Sequence, residues 1–393
     1  MKLSFSKNTF LDYIAVLLIL LTSKSFYFLY APTIFVILFF CFSVIYKELH
    51  QSTFKSNSSI KFIIILYIIY IINGFFHNSF RPTFFIFPLA TFFKISNISF
   101  NSFIIKFFNL AFLIALVSII TYLALLFNII SPTTTLIATD QSSLWNFYGF
   151  NFISPDSWYF KHRNSGIYHE PGAFQIILNF ALLFSLTTRS SYENISHYHK
   201  KFIVILIALV LTKSTNAYIS TTLIMLYKFK DNIKRNKHLF FPLFFLSILL
   251  VYYIITSDTI TDKFTNRDNE KSSFFIRASD NFACLKMFAE NPLIGVGNGS
   301  LYQSLSYKFS NLTASNGILA EMARLGIFWF ILYFTYFFKG IKKLAQNNKK
   351  FIFFFAFICI LVLANEDMMG YPIAYIMIFH FKNYSDDIDQ KNA

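Results

Sequence analysis

The chain has 393 residues, 55% of them hydrophobic and only 13% charged, with a mean hydropathy of +0.53. A soluble globular protein carries roughly 25% charged residues, so an ordinary soluble enzyme is excluded. Long apolar runs recur from end to end, and they predict an all-α fold, a polytopic transmembrane helical bundle forming one integral membrane domain over 1–393. The net charge of +15 raises nucleic acid as a partner, but its distribution points elsewhere.

In chain order, the apolar runs predict spans at 9–22, 27–46, 61–76, 82–95, 107–130, 170–187, 202–212, 214–227, 239–256, 316–338, 351–365 and 370–381, about twelve in all. Several fall short of the roughly 20 residues a bilayer crossing takes, so broken or tilted helices are expected. Lysines followed by an apolar run with no small-residue cleavage site predict a retained first helix. Charge divides 202–227 in two. Arg189, Lys200 and Lys201 precede it, and Lys228, Lys230, Lys234, Arg235 and Lys237 follow it. Both flanks read as cytoplasmic, so the chain between them crosses twice or re-enters, with Lys213-Ser214-Thr215-Asn216 as the turn. Lys2 and Lys7 before 9–46, and Lys47, Lys55 and Lys61 after it, make that stretch a hairpin by the same argument.

The segments assigned to the cytoplasm, both termini among them, hold 22 basic and 6 acidic residues. Two long loops assigned to the outer side, 131–169 and 257–313, hold 8 of each. This is the asymmetry of the positive-inside rule. It accounts for the excess positive charge without nucleic acid. Loops this long are usually functional or disordered. Trp145, Pro155, Trp158 and Pro292 among mixed aromatic and polar residues predict that these are folded. The pattern Phe274, Phe275, Ala278, Phe282, Leu285, Phe288 within 273–289 predicts a helix lying at the membrane interface. The acidic tail Asp386-Asp387-Ile388-Asp389 reads as a solvated end.

Cys41, Cys284 and Cys359 fall in no metal or redox spacing. HExxH, DxD and nucleophile-elbow motifs are absent, so no metal and no cofactor are expected. Asn291-Pro292-Leu293-Ile294-Gly295-Val296-Gly297-Asn298-Gly299 has the look of a phosphate loop but lacks the Gly-Lys-Ser/Thr ending, and reads as a tight surface loop.

The polar residues of interest lie at loop and helix ends. Arg163 and Glu170 flank the junction from the first outer loop into an apolar helix, with Pro171 suited to the first turn. Glu170 there is either a charge favoured by the helix N-terminus or a catalytic carboxylate. Arg163 is either an arginine snorkelling to lipid or an anion ligand. Arg277, with Lys286 on the interfacial helix, has the same two readings, and a guanidinium suits a diphosphate. Glu321 and Arg324, three apart in span 316–338, either pair with each other or serve a site, since intramembrane charges are functional candidates. Glu366 and Asp367 read as plain loop carboxylates facing outward, and His77 with Arg81 as a lipid-contacting pair.

Arg163-Asn164-Ser165-Gly166-Ile167-Tyr168-His169-Glu170-Pro171-Gly172 resembles the R-x-x-G-x-x-x-E-P-G signature of bacterial O-antigen and capsule repeat-unit polymerases (Wzy-type), within the O-antigen polymerase/ligase superfamily. Leu211-Thr212-Lys213-Ser214-Thr215 is similar to that superfamily's T-x-S-R turn, with Thr215 where arginine is common. Arg277 followed by Pro292-Leu293-Ile294-Gly295-Val296-Gly297 resembles its arginine and PL-x-G-x-G stretch. Ser315-Asn316-Gly317-Ile318-Leu319, Glu321 and Leu325-Gly326 resemble its H-N-x-x-L … E-x-G helix start, with Ser315 where the ligases carry histidine. The matches run in family order over about 163–326.

The resemblance implies a metal-independent glycosyltransferase at the outer face of the bacterial cytoplasmic (inner) membrane. It would act on polyprenyl-diphosphate-linked oligosaccharides, with membrane lipid around it and a chain-length regulator as a conceivable partner. Arg163 and Arg277 would hold the diphosphate, with Glu321 and Arg324 as further substrate ligands. Glu170 or His169 would take the acceptor proton. A ligase that moves finished glycan to a lipid or protein acceptor is the nearest alternative. A flippase for lipid-linked oligosaccharide is another, though charges clustered in outer loops suit surface chemistry better than a central pathway.

Overall fold

The computed structural model describes residues 7–50, 57–137, 143–153, 163–187, 195–235, 273–297, 315–344 and 349–379. The expected span at 239–256, most of the second outer loop, Pro155, Trp158 and the acidic tail lie outside the described residues.

Helices α1 (Lys7–Thr22), α2 (Phe26–Tyr30) and α3 (Pro32–Leu49) form the first hairpin. Its turn is set by the Ser25 side chain, which caps α2, and by Pro32 at the start of α3. Helices α4 (Asn57–His77), α5 (Pro82–Ile95) and α6 (Phe100–Leu126) follow. Next come strands β1 (Thr134–Ile137), β2 (Ser143–Phe147) and β3 (Asn151–Ile153), then α7 (Pro171–Ser185), α8 (Ile195–Leu211) and α9 (Thr215–Arg235). Helices α10 (Ser273–Glu290), α11 (Gly317–Leu344), α12 (Lys349–Leu363) and α13 (Pro372–Tyr375) complete the described residues.

Four helices are long and apolar enough to cross a membrane, namely Pro32–Leu49, Ser58–His77, Phe100–Leu126 and Gly317–Lys343, with shorter apolar helices among them. Their outer faces expose Ile34, Ile37, Ile64, Ile68, Ile71 and Ile120. Water would penalise so much apolar surface, and hydrocarbon does not. The protein is an integral membrane protein.

All fifteen residues of α7 are buried, with α6, α8, α9 and α12 packed around it. A helix apolar all round belongs in such a position. Its two amides answer each other, Asn179 Nδ2 donating to Gln175 Oε1 at 2.8 Å while Thr221 Oγ1 donates to Asn179 Oδ1 at 3.1 Å. The position of α7 fixes the loop that feeds it.

The structure departs from the expected layout in three places. The all-α reading missed a three-stranded antiparallel sheet, β1-β2-β3, in the first long loop. Its strands are three to five residues long, too short for a clear period-2 signal. Phe152 of β3 stacks on Phe26 at 4.0 Å, and its amide donates to the Gly166 carbonyl, so the sheet clamps residues 163–170 against α2. Of the expected last span, 370–381, the described residues to 379 form only the four-residue α13 followed by turns, buried against α1 and α5. Span 316–338 is broken at Gly326, whose φ of 78° leaves the helical region. The division of 202–227 is present as α8 and α9, joined at Lys213, where φ is +48°.

Candidate functional site

The motif-bearing segments meet at one end of the bundle. Arg163 is buried, and its Nε donates to the Thr212 carbonyl at 2.9 Å, while Asn164 N donates to the Leu211 carbonyl at 2.9 Å. The 163–172 and 211–215 segments are thus in direct contact. Arg163 also lies near Lys213, whose ammonium is pulled below its usual range by burial and then by the Arg163 charge.

The 292–297 stretch docks on α11. Ile327 N donates to the Pro292 carbonyl at 2.8 Å, Val296 N to the Ala323 carbonyl at 2.9 Å and Gly297 N to the Arg324 carbonyl at 3.1 Å. Breaking the helix at Gly326 frees the Arg324 carbonyl for this and for Asn73 Nδ2 at 3.0 Å. A Cβ on Gly326 would meet the Leu293 carbonyl, so the approach requires glycine. His77 Nε2 bonds the Gly295 carbonyl at 2.9 Å. It braces this loop, which corrects the lipid-contact reading for His77.

The centre of the site is an ionic network between the start of α7, α10, the segment after α12 and the turn after α1. Lys24 Nζ lies 2.7 Å from Glu170 Oε1 and 3.6 Å from Glu366 Oε2. Arg277 Nη2 lies 3.4 Å from Glu366 Oε1, and Arg277 Nη1 donates to Asn365 Oδ1 at 2.9 Å. The Glu170 and Glu366 carboxyls lie within hydrogen-bonding reach of each other. Next door, Arg324 pairs with Glu321 and lies 3.3 Å from Asp367 Oδ2. Asn365, Glu366 and Asp367, three consecutive residues, therefore connect both groups.

The charges are set by position. Glu170 is the N-cap of α7, with no side-chain cap bond. Burial would raise its carboxyl, but the Lys24 ammonium and His169 beside it outweigh that and hold it at about 2. Burial, and then the negative charge of Glu170, push Glu366 up to about 8. Lys24 is raised despite its burial, because both carboxylates face it. The pair titrates as a unit and keeps one proton near neutral pH. Asp280, one turn on from Arg277, accepts from Ser315 N at 3.1 Å, and burial pushes its carboxyl up. Among the described residues, Asn365 Nδ2 and Asp280 Oδ1 are buried without a hydrogen-bond partner.

Of the residues singled out in sequence, the structure joins Glu170 to Arg277 through Glu366, and joins Glu321 to Arg324. It sets Arg163 at the 211–215 turn, and His169 beside Glu170. Sequence reasoning missed Lys24 and Asn365, and it took Glu366 and Asp367 for plain loop carboxylates, which the geometry corrects. The Asn-Glu-Asp run between two apolar spans was the available signal. Among the described residues, no group of three or more His, Cys, Asp and Glu side chains is arranged to hold a metal ion.

Residues 202–334 match the O-antigen ligase family. That stretch runs from α8 through most of α11, and carries the 211–215 turn, Arg277, Glu321 and Arg324. The match covers about a third of the chain and places that stretch in the O-antigen polymerase/ligase superfamily. No curated protein matches the chain.

Proposed function

We propose that this member of the O-antigen polymerase/ligase superfamily polymerises polyprenyl-diphosphate-linked oligosaccharide repeat units at the outer face of the bacterial inner membrane, its termini in the cytoplasm. The observation that carries this reading is the convergence of segments far apart in sequence on the Lys24–Glu170–Glu366–Arg277 network. The charge asymmetry of the loops supports the outward orientation.

The reaction asks little of a cofactor, because the donor already carries diphosphate as its leaving group. The acceptor hydroxyl oxygen bonds to the anomeric carbon while the bond from that carbon to the diphosphate oxygen breaks. The electron pair leaves with the diphosphate. The hydroxyl proton passes to the Glu170 carboxylate, which Lys24 keeps ionised and which is part-exposed. His169 lies beside it as the alternative acceptor. The Arg277 side chain is 44% exposed, so it can reach the diphosphate and offset the developing charge. Arg163, at the neighbouring turn, serves the same anion. Glu321 and Arg324 hold the floor of the substrate site through Asp367.

The test is to incubate purified protein with a lipid-diphosphate-linked repeat unit and look for a ladder of polymer lengths. Arg277→Ala is expected to cut ladder formation by about 10²–10³-fold, the usual cost of one charge-stabilising donor. Unchanged polymer length and yield in both Arg163→Ala and Arg277→Ala would end the diphosphate assignment. The ligase reading is favoured by the description of the matched family. A ligase would form no ladder and would pass finished glycan to a lipid or protein acceptor. Its deletion would leave polymer on the lipid carrier, whereas loss of a polymerase leaves single repeats at the surface.

A further inference from the structure

The network holds one acid more than the transfer step uses. Glu366 is buried, 6% exposed, in the segment between α12 and α13. Two glycines make room for this residue. A Cβ on Gly172 would overlap its Oε1, and a Cβ on Gly317 would overlap its carbonyl oxygen. Its seat is therefore cut into the first turns of α7 and α11. From that seat its carboxyl meets Glu170, with Lys24 and Arg277 on either side. Two carboxylates in contact repel unless a proton lies between them.

We infer that Glu366 is a positioning residue for Glu170, its protonated carboxyl donating a hydrogen bond that fixes the carboxylate which receives the acceptor proton. This rests on Glu170 being that acceptor, as proposed above. The geometry decides which partner holds the proton. Glu170 has Lys24 at 2.7 Å and its side chain is 26% exposed, whereas Glu366 has Lys24 at 3.6 Å and its side chain is 8% exposed. The anion is better stabilised on Glu170. Burial and the Glu170 charge agree, pushing Glu366 up to about 8. Above that pH Glu366 ionises, the hydrogen bond becomes a repulsion, and Glu170 loses its orientation.

The groups facing the pair are Lys24 from the turn after α1, His169 ahead of α7 and Arg277 on α10. On its own segment are Asn365, Asp367 and Tyr371, with Arg324 behind Asp367 on α11. All are retained in Glu366→Gln, so the difference from wild type isolates Glu366.

The experiment follows release of polyprenyl diphosphate against pH, for wild type, E366Q and E366A in detergent, with folding checked by thermal unfolding. In E366Q the amide N–H replaces the carboxyl donor. It is expected to keep the wild-type kcat within about threefold at neutral pH and to lose the wild type's alkaline decline, while E366A loses about tenfold or more in kcat at little change in KM. An E366Q that keeps the alkaline decline would make the role merely structural. A folded but inactive E366Q would make Glu366 the proton acceptor itself. A wild type without an alkaline decline overturns the inference whatever the variants do. Release of diphosphate without a ladder, when a different acceptor is supplied, breaks the polymerase reading and leaves this one standing.

Discussion

Helix α1 has an ionic cluster at each end, and the two are built differently. Near its start, Asp12 faces Lys106 Nζ at 3.0 Å and His50 Nε2 at 3.8 Å, and accepts from the Tyr46 hydroxyl, while Lys106 also donates to Ser102. One acid sits among donors from α3 and α6. Beyond its other end, with roughly 15 Å of helix between, Lys24 faces two carboxyls that also face each other. Lys24 itself is in the left-handed region, with φ of 61°, uncommon for a side chain of this kind. The first cluster answers each charge and ties three helices together. The second keeps competing charges in contact and holds a lysine in costly backbone to do so. Competing titratable groups at the meeting point of several loops mark chemistry more than bracing.

That contrast can be broken by substitution. The largest effect is expected from Glu170→Gln, which removes the proton acceptor and keeps the shape. The rate of diphosphate release per folded molecule should fall by about 10²–10⁴-fold, while Lys24 keeps Glu366 as a partner at 3.6 Å, so the loss of stability should not exceed about 1–3 kcal/mol. A loss of stability without loss of rate would make this end a brace like the other. A smaller effect is expected from Gly172→Ala. It adds one methyl and no charge, but that methyl would overlap Glu366 Oε1. Displacing Glu366 should lower kcat by about tenfold, as loosened positioning does, and shift the alkaline limb. A wild-type rate and pH profile in Gly172→Ala would mean that the seat is not specific.

Much of this was legible in the sequence, for physical reasons that also mark its limit. Membrane character and most helices follow from apolar runs, which report burial in lipid whatever the partner. The turn between α8 and α9 was visible because basic residues on both flanks read as lying on one side of the membrane, which requires the chain between them to turn back. The 163–172 stretch stood out because polar residues are costly among apolar ones. The hub at Asn365-Glu366-Asp367 was less legible, since its meaning lies in the notches at Gly172 and Gly317 and in Lys24, more than 340 residues away in the chain. Lys24 lies in the turn after α1, outside every motif. Only tertiary contact pairs it with Glu170. The small sheet was hidden because strands of three to five residues carry almost no periodicity.

The smallest effect on chemistry is expected at the opposite end, from Asp12→Asn. The amide still accepts from the Tyr46 hydroxyl, so the hydrogen bond survives and only the charge facing Lys106 is lost. Lys106 is mostly buried, with its side chain 9% exposed, so the loss should cost about 1–3 kcal/mol of stability and lower the unfolding midpoint. The rate per folded molecule and its pH profile should not move, because nothing in this cluster touches the loops that carry Glu170 and Glu366. A variant that slowed transfer as much as Gly172→Ala would show that α1 transmits strain from one end to the other. The two clusters would then be one device, and Lys24 would owe its backbone conformation to the brace below it as well as to the acids in front of it.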